Sequence, residues 1–308
     1  MHKNSIGTNG FVQALQFLVP PDRLLLQEPL SRHTTFQIGG PADFLIQPAC
    51  AEEVAAVLRA VRAYGVPLTV LGNGSNVLVL DKGIRGVVLK FDEHMGYIRH
   101  DGERITAGAG ATLADVSTYA MKQALGGLEF AIGIPGSIGG AVFMNAGAYD
   151  GEISTAVASV TAVCPDGMIR TFAGDDMGFG YRHSAFQDNG CIICEIELAL
   201  HKGNAGEIST RMAELTSRRE SKQPLEMPSA GSTFKRPPGY FAGTLIEQAG
   251  LKGLQVGGAQ VSVKHAGFIV NTGGATAEDV LSLIREVQNR VHDKFGVELH
   301  PEVRIIGE

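Results

Sequence analysis

Apolar residues recur at helical spacing in four segments of the chain. The predicted helices are residues 51–64, 112–125, 207–222 and 276–295. Gly65 follows the first helix as a stop signal, and Thr112 with Asp115 forms a capping pair at the start of the second. The last of these segments has the clearest amphipathic pattern.

Shorter apolar or alternating runs predict strands between the helices. Two pairs of strands form hairpins, which turn at Asp101–Gly102 and at Asp166–Gly167. Single strands are predicted at residues 66–72, 77–81, 84–91, 191–200 and 268–271, and residues 297–307 close the chain as an extended segment. Because strands and helices interleave and hairpins are present, the predicted fold class is α+β with mixed sheets.

The length and composition indicate a globular protein of more than one domain. At roughly 150 residues per domain, 308 residues predict two or three domains, and we expect boundaries near residues 95 and 205. A hydrophobic content of 44% with 19% charged residues excludes disorder as the main state. The formal net charge of -6 makes the chain a poor general binder of the DNA or RNA backbone.

Glycine is the unusual feature of the composition. The chain has 40 glycines in 308 residues, nearly twice the average share of about 7%. Seven of them fall in two clusters, GNGSN at residues 72–76 (the first cluster) and GIPGSIGGAVFMNAGAY at residues 133–149 (the second cluster). Each alone could be a loop, but two clusters that interrupt apolar sequence favour backbone brought close to a nucleotide-like cofactor. Neither matches a G-x-G-x-x-G or a P-loop signature.

The cysteines do not indicate a disulfide framework or a metal site. There are 4 of them, at positions 50, 164, 191 and 194, which is too few and too scattered for a stapled fold. Cys191 and Cys194 have C-x-x-C spacing, but they lie in an apolar run that reads as a strand, where an odd offset places them on opposite faces. Buried strand cysteines are therefore favoured over a redox or metal pair.

No run of the sequence reaches the roughly 18 apolar residues of a membrane span. The apolar stretch near the N-terminus is interrupted by Gln13 and Gln16, and no small-residue cleavage site follows it. The predicted location is therefore cytoplasmic, with no membrane partner.

Seven motifs, in order, give the chain a family resemblance. The motifs are FQIGGPA at 36–42, the first cluster, the second cluster, YRHS at 181–184, SAGSTFK at 229–235, GLKG at 250–253 and PEVR at 301–304. Together they resemble the UDP-N-acetylenolpyruvoylglucosamine reductases, flavoenzymes of peptidoglycan precursor synthesis. The resemblance extends from about residue 30 to the C-terminus.

This resemblance implies a fold and a division into domains. The implied fold is a two-part FAD-binding domain of the vanillyl-alcohol-oxidase/PCMH type followed by a C-terminal α+β substrate-binding domain. The corresponding prediction is one FAD-binding subdomain at 1–95, with residues 1–29 as an N-terminal extension, a second at 96–205, and the substrate-binding domain at 206–308.

The resemblance also implies FAD as cofactor, NADPH as co-substrate and a UDP-sugar as substrate. NADPH reduces FAD, and the flavin then passes a hydride to the enolpyruvyl group of the nucleotide sugar. By this resemblance the cofactor-binding residues are Gly72, Asn73, Gly74, Ser75, Asn76, Gly136, Ser137, Ile138, Gly139, Gly140, Gly147 and Arg304.

Three residues match the family's catalytic positions. Arg182 would stabilise the enolate beside the substrate carboxylate, Ser232 would donate the proton, and Glu302 would assist the intermediate. A guanidinium suits the first role because it offers paired donors to a carboxylate. The residues alone leave other interpretations open: a surface ion pair for Arg182, a turn residue for Ser232 and an edge-strand residue for Glu302. The apolar sequence around Glu302 predicts partial burial.

A local excess of cations marks the expected substrate region. Residues 216–240 contain five cations and two acids, a net charge of +3 in an acidic chain. This suits a small anion such as a diphosphate better than a polymer. The substrate-binding residues implied by the resemblance are Tyr181, Lys222, Arg236 and His265, although a solvated helix face and a structural histidine are the ordinary alternatives.

One departure assigns the chain within the family. Some members carry an insertion with a tyrosine for the uridine after the strand that ends near Leu200, and here only residues 201–206 separate that strand from the next helix. The chain therefore resembles the shorter subgroup. Two alternative functions remain open from the sequence: an FAD-dependent sugar or alcohol oxidase on the same scaffold, and a non-catalytic nucleotide-sugar-binding module.

Overall fold

The computed structural model describes residues 5–308, and of residues 5–9 it describes the backbone alone. The chain divides into two compact units. The first unit is Met1–Leu26, Asp43–Asn73 and Gly86–Ser217, and the second is Gln27–Ala42, Gly74–Arg85 and Arg218–Glu308. The three-part division with boundaries near 95 and 205 stays a prediction, and residues 1–4 of the predicted N-terminal extension lie outside the described residues.

Four of the seven α-helices in residues 5–308 agree with the apolar pattern. The seven helices are α1 (Ser5–Leu18), α2 (Ala51–Tyr64), α3 (Leu113–Lys122), α4 (Ile138–Met144), α5 (Ala205–Lys222), α6 (Ala242–Gln248) and α7 (Ala277–Phe295). The four that agree are α2, α3, α5 and α7. Thr112 caps α3 by accepting the backbone N–H of Asp115 at 3.0 Å, as the capping pair predicts. Gly65 ends α2 in the left-handed conformation with a φ of 65°.

The strands are short, and most belong to antiparallel sheets. They are β1 (Leu24–Pro29), β2 (Pro41–Ile46), β3 (Leu68–Leu71), β4 (Val77–Val79), β5 (Ile84–Lys90), β6 (Ile98–Asp101), β7 (Arg104–Gly108), β8 (Leu125–Gly126), β9 (Gly147–Ala148), β10 (Gly151–Glu152), β11 (Val157–Val163), β12 (Ile169–Ala173), β13 (Ile192–Ala199), β14 (His201–Lys202), β15 (Ser229–Ser232), β16 (Gln255–Val256), β17 (Ala259–Val261), β18 (Phe268–Asn271) and β19 (Arg304–Ile306). A four-stranded sheet has the order β1-β2-β5-β3, in which β3 and β5 are parallel.

The first unit is built around a five-stranded antiparallel sheet in the order β12-β11-β13-β7-β6. Both predicted hairpins lie in this sheet: β6 pairs with β7, and β11 pairs with β12. Helix α2 contributes Val54, Val57, Leu58 and Val61 to the core of this unit. Burial of such an apolar stripe is what holds a helix against a sheet.

The second unit packs helices α6 and α7 with the antiparallel sheet β15-β18-β17-β16. Helix α7 begins with a capping box between Thr276 and Asp279. Its buried residues, Val280, Leu283, Ile284, Val287 and Val291, recur at the helical spacing that the sequence shows. Strand β19 pairs in parallel with β4, so the C-terminal segment is part of this unit.

The α+β prediction is confirmed, and the differences concern single elements. The sequence pattern does not predict α1, α4 or α6. It also places the end of the second helix at residue 125, whereas α3 ends at Lys122. The sequence pattern does not predict α4 because Gly139 and Gly140 occupy its first turn and glycine is a poor helix former.

None of the helices in residues 5–308 is both long enough and apolar enough to cross a membrane.

Cys191 and Cys194 of the predicted strand are buried, as expected. Cys191 has a sulfur neighbour outside the C-x-x-C pair. Cys191 Sγ lies 3.1 Å from the Sγ of Cys164, which follows the neighbouring strand β11. Cys164, Cys191 and Cys194 are all free and buried, and Cys50 is free and partly exposed.

Candidate active site

The start of the first cluster lies against the second cluster within the first unit. A Cβ atom on Gly72 would lie 2.5 Å from Ser137 Oγ, and Asn73 Nδ2 donates to the carbonyl oxygen of Pro135 at 3.5 Å. The absence of a side chain at position 72 therefore permits the close approach of the two glycine-rich segments.

The second cluster contains the short helix α4. Ser137 caps the helix by accepting the backbone N–H of Gly140 at 3.3 Å. The N–H groups of Ile138 and Gly139 donate to carbonyl oxygens of the same unit, and a Cβ on Gly139 would lie 2.7 Å from the Cβ of Ala109. Gly139 thus serves close packing, while Gly140 is exposed and leaves open backbone at the start of the helix.

Gly136 and Gly147 flank this helix and also lie against other backbone. The carbonyl oxygen of Gly136 accepts the N–H of Leu113 at 3.0 Å. A Cβ on Gly147 would lie 2.9 Å from the carbonyl oxygen of Gly151 in β10. A side chain at position 147 would therefore displace backbone of the first unit.

The rest of the first cluster, Gly74, Ser75 and Asn76, belongs to the second unit. Gly74 is buried, has a φ of +62°, and a Cβ there would lie 2.4 Å from the carbonyl oxygen of His33. Among the described residues, the backbone N–H groups of Gly74 and Ser75 have no acceptor in the protein. Gly74 is buried and Ser75 is half-buried. Successive N–H groups of a tight turn can bind an anion, so this turn suits an anionic ligand.

Asn76 joins the first cluster to the C-terminal segment. Its Nδ2 donates to the carbonyl oxygen of Glu302 at 3.4 Å, and its own carbonyl oxygen accepts the N–H of Arg304 at 3.0 Å. The parallel pairing of Arg304 with Val77 continues this connection. Three of the predicted site residues, Asn76, Glu302 and Arg304, are therefore neighbours in the second unit.

Ser232 and Glu302 lie on adjacent segments of the second unit. Ser232 ends β15, is exposed, and pairs with Phe268 of β18. The next residue, Thr233, is buried, and its carbonyl oxygen accepts the N–H of Glu302 at 2.8 Å. Its hydroxyl accepts the N–H of Ile269 at 3.0 Å. Glu302 is half-buried, as the apolar sequence around it predicts.

Arg182 lies in a tight turn of the first unit. Gly180 and His183 close the turn with backbone hydrogen bonds of 3.0 and 3.1 Å. Arg182 has a φ of 54°, a left-handed conformation that residues with long side chains rarely adopt. Its Nη2 donates to the carbonyl oxygen of Gly147 at 3.3 Å, and its Cζ lies 5.3 Å from the centre of the Tyr181 ring, which is 64% exposed.

The predicted substrate residues of the second unit are accessible. Lys222 is the last residue of α5 and is exposed. Arg236 is also exposed, and its Cζ lies 4.0 Å from the centre of the Phe241 ring. This stacking holds the guanidinium over an aromatic face and leaves its N–H edges to meet an anion.

His265 is a half-buried hydrogen-bonding group and not a cation at neutral pH. Its Nδ1 accepts the backbone N–H of Gly267 at 3.1 Å, so Nε2 carries the proton. Burial lowers the pKa of His265, and the positive charges of Lys252 and Lys222 lower it further. Nε2 can therefore donate a hydrogen bond to an anionic ligand without adding charge.

Two residues that connect these positions had no prediction from the sequence. Thr233 links Ser232 to Glu302, and Asn145, which is 1% exposed, donates from Nδ2 to the carbonyl oxygen of Gly180 at 2.9 Å. Asparagine directly after an apolar run favours a left-handed helix end, and this signal could have found Asn145. Thr233 has no such signal apart from its place beside Ser232.

Two family models match separate parts of the chain. Residues 42–173 match the FAD binding domain family, and residues 223–306 match the C-terminal domain of UDP-N-acetylenolpyruvoylglucosamine reductase. The UDP-N-acetylenolpyruvoylglucosamine reductase of Clostridium botulinum (strain Hall) is 51% identical over 299 residues, which is 97% of each chain.

Solved structures give the same result. The crystal structure of UDP-N-acetylenolpyruvylglucosamine reductase from Thermus caldophilus matches with a TM-score of 0.79 and 39% identity, over 92% of this chain and 98% of that one. A grass pollen allergen with glucose dehydrogenase activity matches with a TM-score of 0.50 and 17% identity, over 62% of this chain and 44% of that one, a likeness of fold alone. The motif resemblance and the fold prediction are thereby confirmed, and the chain belongs to the UDP-N-acetylenolpyruvoylglucosamine reductase family.

Proposed function

We propose that the protein reduces the enolpyruvyl group of UDP-N-acetylglucosamine enolpyruvate to give UDP-N-acetylmuramate, with NADPH as the reductant. This is a cytoplasmic step of peptidoglycan precursor synthesis. Family membership over nearly the whole chain supports the activity. The observation that carries the assignment of residues is the 2.8 Å bond from Glu302 N–H to the Thr233 carbonyl, because it holds the matched Ser232 and Glu302 on adjacent segments.

The first cluster fits FAD. The unpaired N–H groups at Gly74 and Ser75 suit the cofactor's diphosphate, with Arg304 nearby as a cation. The family resemblance assigns further residues to FAD binding: Gly72, Asn73, Asn76, Gly136, Ser137, Ile138, Gly139, Gly140 and Gly147. The chemistry that FAD supplies when bound is hydride transfer, from NADPH and then to the methylene carbon of the enolpyruvyl group.

Arg182 would bind the substrate carboxylate. A hydride added to the methylene carbon leaves negative charge on the neighbouring carbon and on the carboxylate oxygens. The guanidinium has paired N–H donors for those oxygens, and it is already oriented by Gly147 and Tyr181. Tyr181, which is exposed, would lie beside the bound substrate.

Ser232 would donate a proton to the carbon next to the substrate carboxylate. A serine hydroxyl is a weak acid, so the transfer requires a strongly basic carbon and nearby stabilising groups. The exposed position of Ser232 at the end of β15 makes the hydroxyl available, and Glu302 would assist from the adjacent segment.

Lys222, Arg236 and His265 would bind the UDP diphosphate. Two cations and one neutral N–H donor match the charge and the acceptor oxygens of a diphosphate. The lack of room for a tyrosine-bearing insertion between β14 and α5 supports the shorter subgroup.

The experiment that tests this proposal is product analysis. Purified protein is incubated with NADPH and UDP-N-acetylglucosamine enolpyruvate, and the nucleotide sugar is examined by mass spectrometry and NMR. We expect the vinyl signals to disappear and a lactyl methyl signal to form. A protein that carries flavin and returns the enolpyruvyl sugar unchanged would favour the oxidase interpretation, and a protein that binds no flavin would contradict both enzymatic interpretations.

A further inference from the structure

Helix α4 connects two parts of the proposed site within the first unit. Its first turn begins at Ser137, in contact with Gly72 of the first cluster. Its last residue, Met144, is followed by Asn145, and Asn145 contacts the turn that carries Arg182. A seven-residue helix therefore connects the proposed cofactor-binding residues of the first unit to the turn that carries the proposed carboxylate-binding arginine.

Side chains fasten the arginine turn to the end of this helix. Asn145 Nδ2 donates to the carbonyl oxygen of Gly180 at 2.9 Å. Ser184 Oγ donates to the carbonyl oxygen of Phe143 at 2.8 Å. Gln187 Nε2 donates to the same Phe143 oxygen at 2.8 Å and to the carbonyl oxygen of Arg182 at 3.0 Å. The backbone of Arg182 is thus held on both sides.

Asn145 has the most constrained position of this set. It is 1% exposed and has a φ of 43°. Its Oδ1 accepts the N–H of Ser154 at 3.2 Å, so both ends of its amide are used. The helix end itself needs only the backbone N–H of Asn145, which bonds to Ala141 and Val142. The Asn145 side chain therefore does not cap the helix, and its Nδ2 connects the helix end to Gly180.

We infer that Asn145 is a positioning residue that sets the location of Arg182 relative to helix α4. The inference rests on the proposed function, in which Arg182 binds the substrate carboxylate. Arg182 itself adopts a left-handed φ of 54°, which costs energy and persists only when the surroundings fix it. Asn145 supplies that fixation through Gly180, two residues before Arg182 in the same turn.

The test is a double-mutant cycle of Asn145→Asp and Arg182→Ala. The aspartate keeps the Oδ1 acceptor and tolerates a left-handed φ, but it cannot donate to Gly180. Stopped-flow absorbance measures two rates: reduction of the flavin by NADPH, and reoxidation by UDP-N-acetylglucosamine enolpyruvate. We expect Asn145→Asp to slow reoxidation roughly tenfold or more and to change reduction by less than about twofold, because displacement of a positioned group affects the step that uses it.

The decisive comparison is between backgrounds. If Asn145 acts through Arg182, Asn145→Asp causes no further loss of the reoxidation rate in the Arg182→Ala protein. Equal losses in both half-reactions, or multiplying losses in the double variant, would overturn the inference while the wild-type activity upholds the proposed function. A wild-type protein that the enolpyruvyl sugar does not reoxidise would contradict the proposed function itself, and the inference with it.

Asn145→Gly keeps the test valid if the aspartate variant does not fold. Glycine accepts a φ of 43° and removes the side chain without adding charge. Flavin content and the thermal unfolding midpoint are measured for each variant. A variant that retains flavin and loses reoxidation selectively supports the positioning role, whereas restoration of full reoxidation by glycine would contradict it.

Discussion

The backbone N–H of Glu302 donates to the carbonyl oxygen of Thr233 at 2.8 Å. This bond joins the C-terminal segment, which continues to Arg304, to the strand that ends at Ser232. Asn76 of the first cluster bonds to the same C-terminal segment, through the carbonyl of Glu302 and the N–H of Arg304. The proposed proton donor and its partner are therefore connected to the proposed cofactor-binding turn by main-chain contacts within one unit.

Ser232→Ala is expected to separate the two half-reactions. The variant removes one exposed hydroxyl and leaves the backbone pairing of β15 unchanged, so flavin reduction by NADPH stays near the wild-type rate. Reoxidation by the enolpyruvyl sugar slows by about 100-fold or more, the usual contribution of a general acid. Stopped-flow absorbance measures both rates, and Ser282→Ala on the exposed face of α7 is a control for loss of a serine hydroxyl. Equal losses in both half-reactions would show that Ser232 is not the proton donor.

Gly74→Ala is expected to destabilise the second unit and to abolish flavin binding. The new Cβ would lie 2.4 Å from the carbonyl oxygen of His33, and backbone atoms at such a distance must move. The movement would displace the N–H groups of Gly74 and Ser75 that we assign to the cofactor diphosphate. Thermal unfolding and the flavin absorbance of the purified protein measure the two effects.

Gly65→Ala is the matched control for this glycine. Gly65 has a φ of +65°, close to the +62° of Gly74, but a Cβ there would meet nothing within 4 Å. This variant therefore carries only the cost of a left-handed alanine, about 1 kcal/mol, and keeps its flavin. Similar losses in the two variants would mean that the close approach at His33 is unimportant.

Arg182→Gly is expected to be more stable than Arg182→Ala. Both variants lose the guanidinium, so both lose reoxidation by the enolpyruvyl sugar. At a φ of 54° alanine is strained and glycine is not, a difference of about 1 kcal/mol in the free energy of unfolding. Chemical denaturation of the two variants measures it. An alanine variant as stable as the glycine variant would show that the turn relaxes out of the left-handed conformation.

The lowered pKa of the half-buried His265 predicts that the stability of the protein depends on pH. Because the pKa of His265 is lower in the folded protein than its ordinary value of about 6.5, the unfolded chain binds the proton more readily. The contribution of His265 to the free energy of unfolding is complete above pH 6.5 and declines as the pH falls toward the folded-state pKa. The thermal unfolding midpoint should decrease between pH 8 and pH 5 in both proteins, and we expect a smaller decrease for His265→Gln than for the wild type. An equal decrease in the two proteins would contradict the assignment of this pH dependence to His265.

The cysteines are expected to react with alkylating reagents in a defined order. Burial raises the pKa of Cys191 and of Cys194 to about 12 each, so almost none of either thiol is ionised at pH 8. Cys164 is also buried, at 2% exposure, whereas Cys50 is partly exposed. Peptide mapping after brief labelling should find Cys50 modified first, and all 4 cysteines modified after unfolding. Early modification of Cys191 and Cys194 would favour the redox-pair interpretation.

Apolar periodicity and turn chemistry predict much of the first unit, but in the sheet β15-β18-β17-β16 of the second unit they predict only β18. The boundaries of α2 coincide with the predicted segment because its stripe of valines and leucine ends at Gly65. Both hairpins turn at the predicted Asp–Gly pairs, where Gly102 and Gly167 have φ values of 58° and 81°. Helix α4 was not predictable in this way, since its stability comes from a serine cap and from packing of Gly139 on Ala109, not from a pattern of its own.

Motif resemblance predicts the site residue by residue, and these assignments stay predictions, whereas the sequence does not predict the connections between the residues. Periodicity carries no information about which carbonyl a distant N–H will reach. The bond between Thr233 and Glu302, the connection of Asn145 to Gly180, and the contact of Gly72 with Ser137 all depend on tertiary folding. The neutral state of His265 likewise follows from its burial and its neighbours in space, which the sequence alone does not reveal.

The proposed reductase activity is tested most directly by the rate at which the purified flavoprotein oxidises NADPH. This rate is measured at 340 nm with and without UDP-N-acetylglucosamine enolpyruvate. We expect NADPH to be oxidised slowly when the enolpyruvyl sugar is absent and much faster, in a saturable way, when it is added, with one NADPH consumed per UDP-N-acetylmuramate formed. An oxidation rate that does not respond to the enolpyruvyl sugar would contradict the proposed activity.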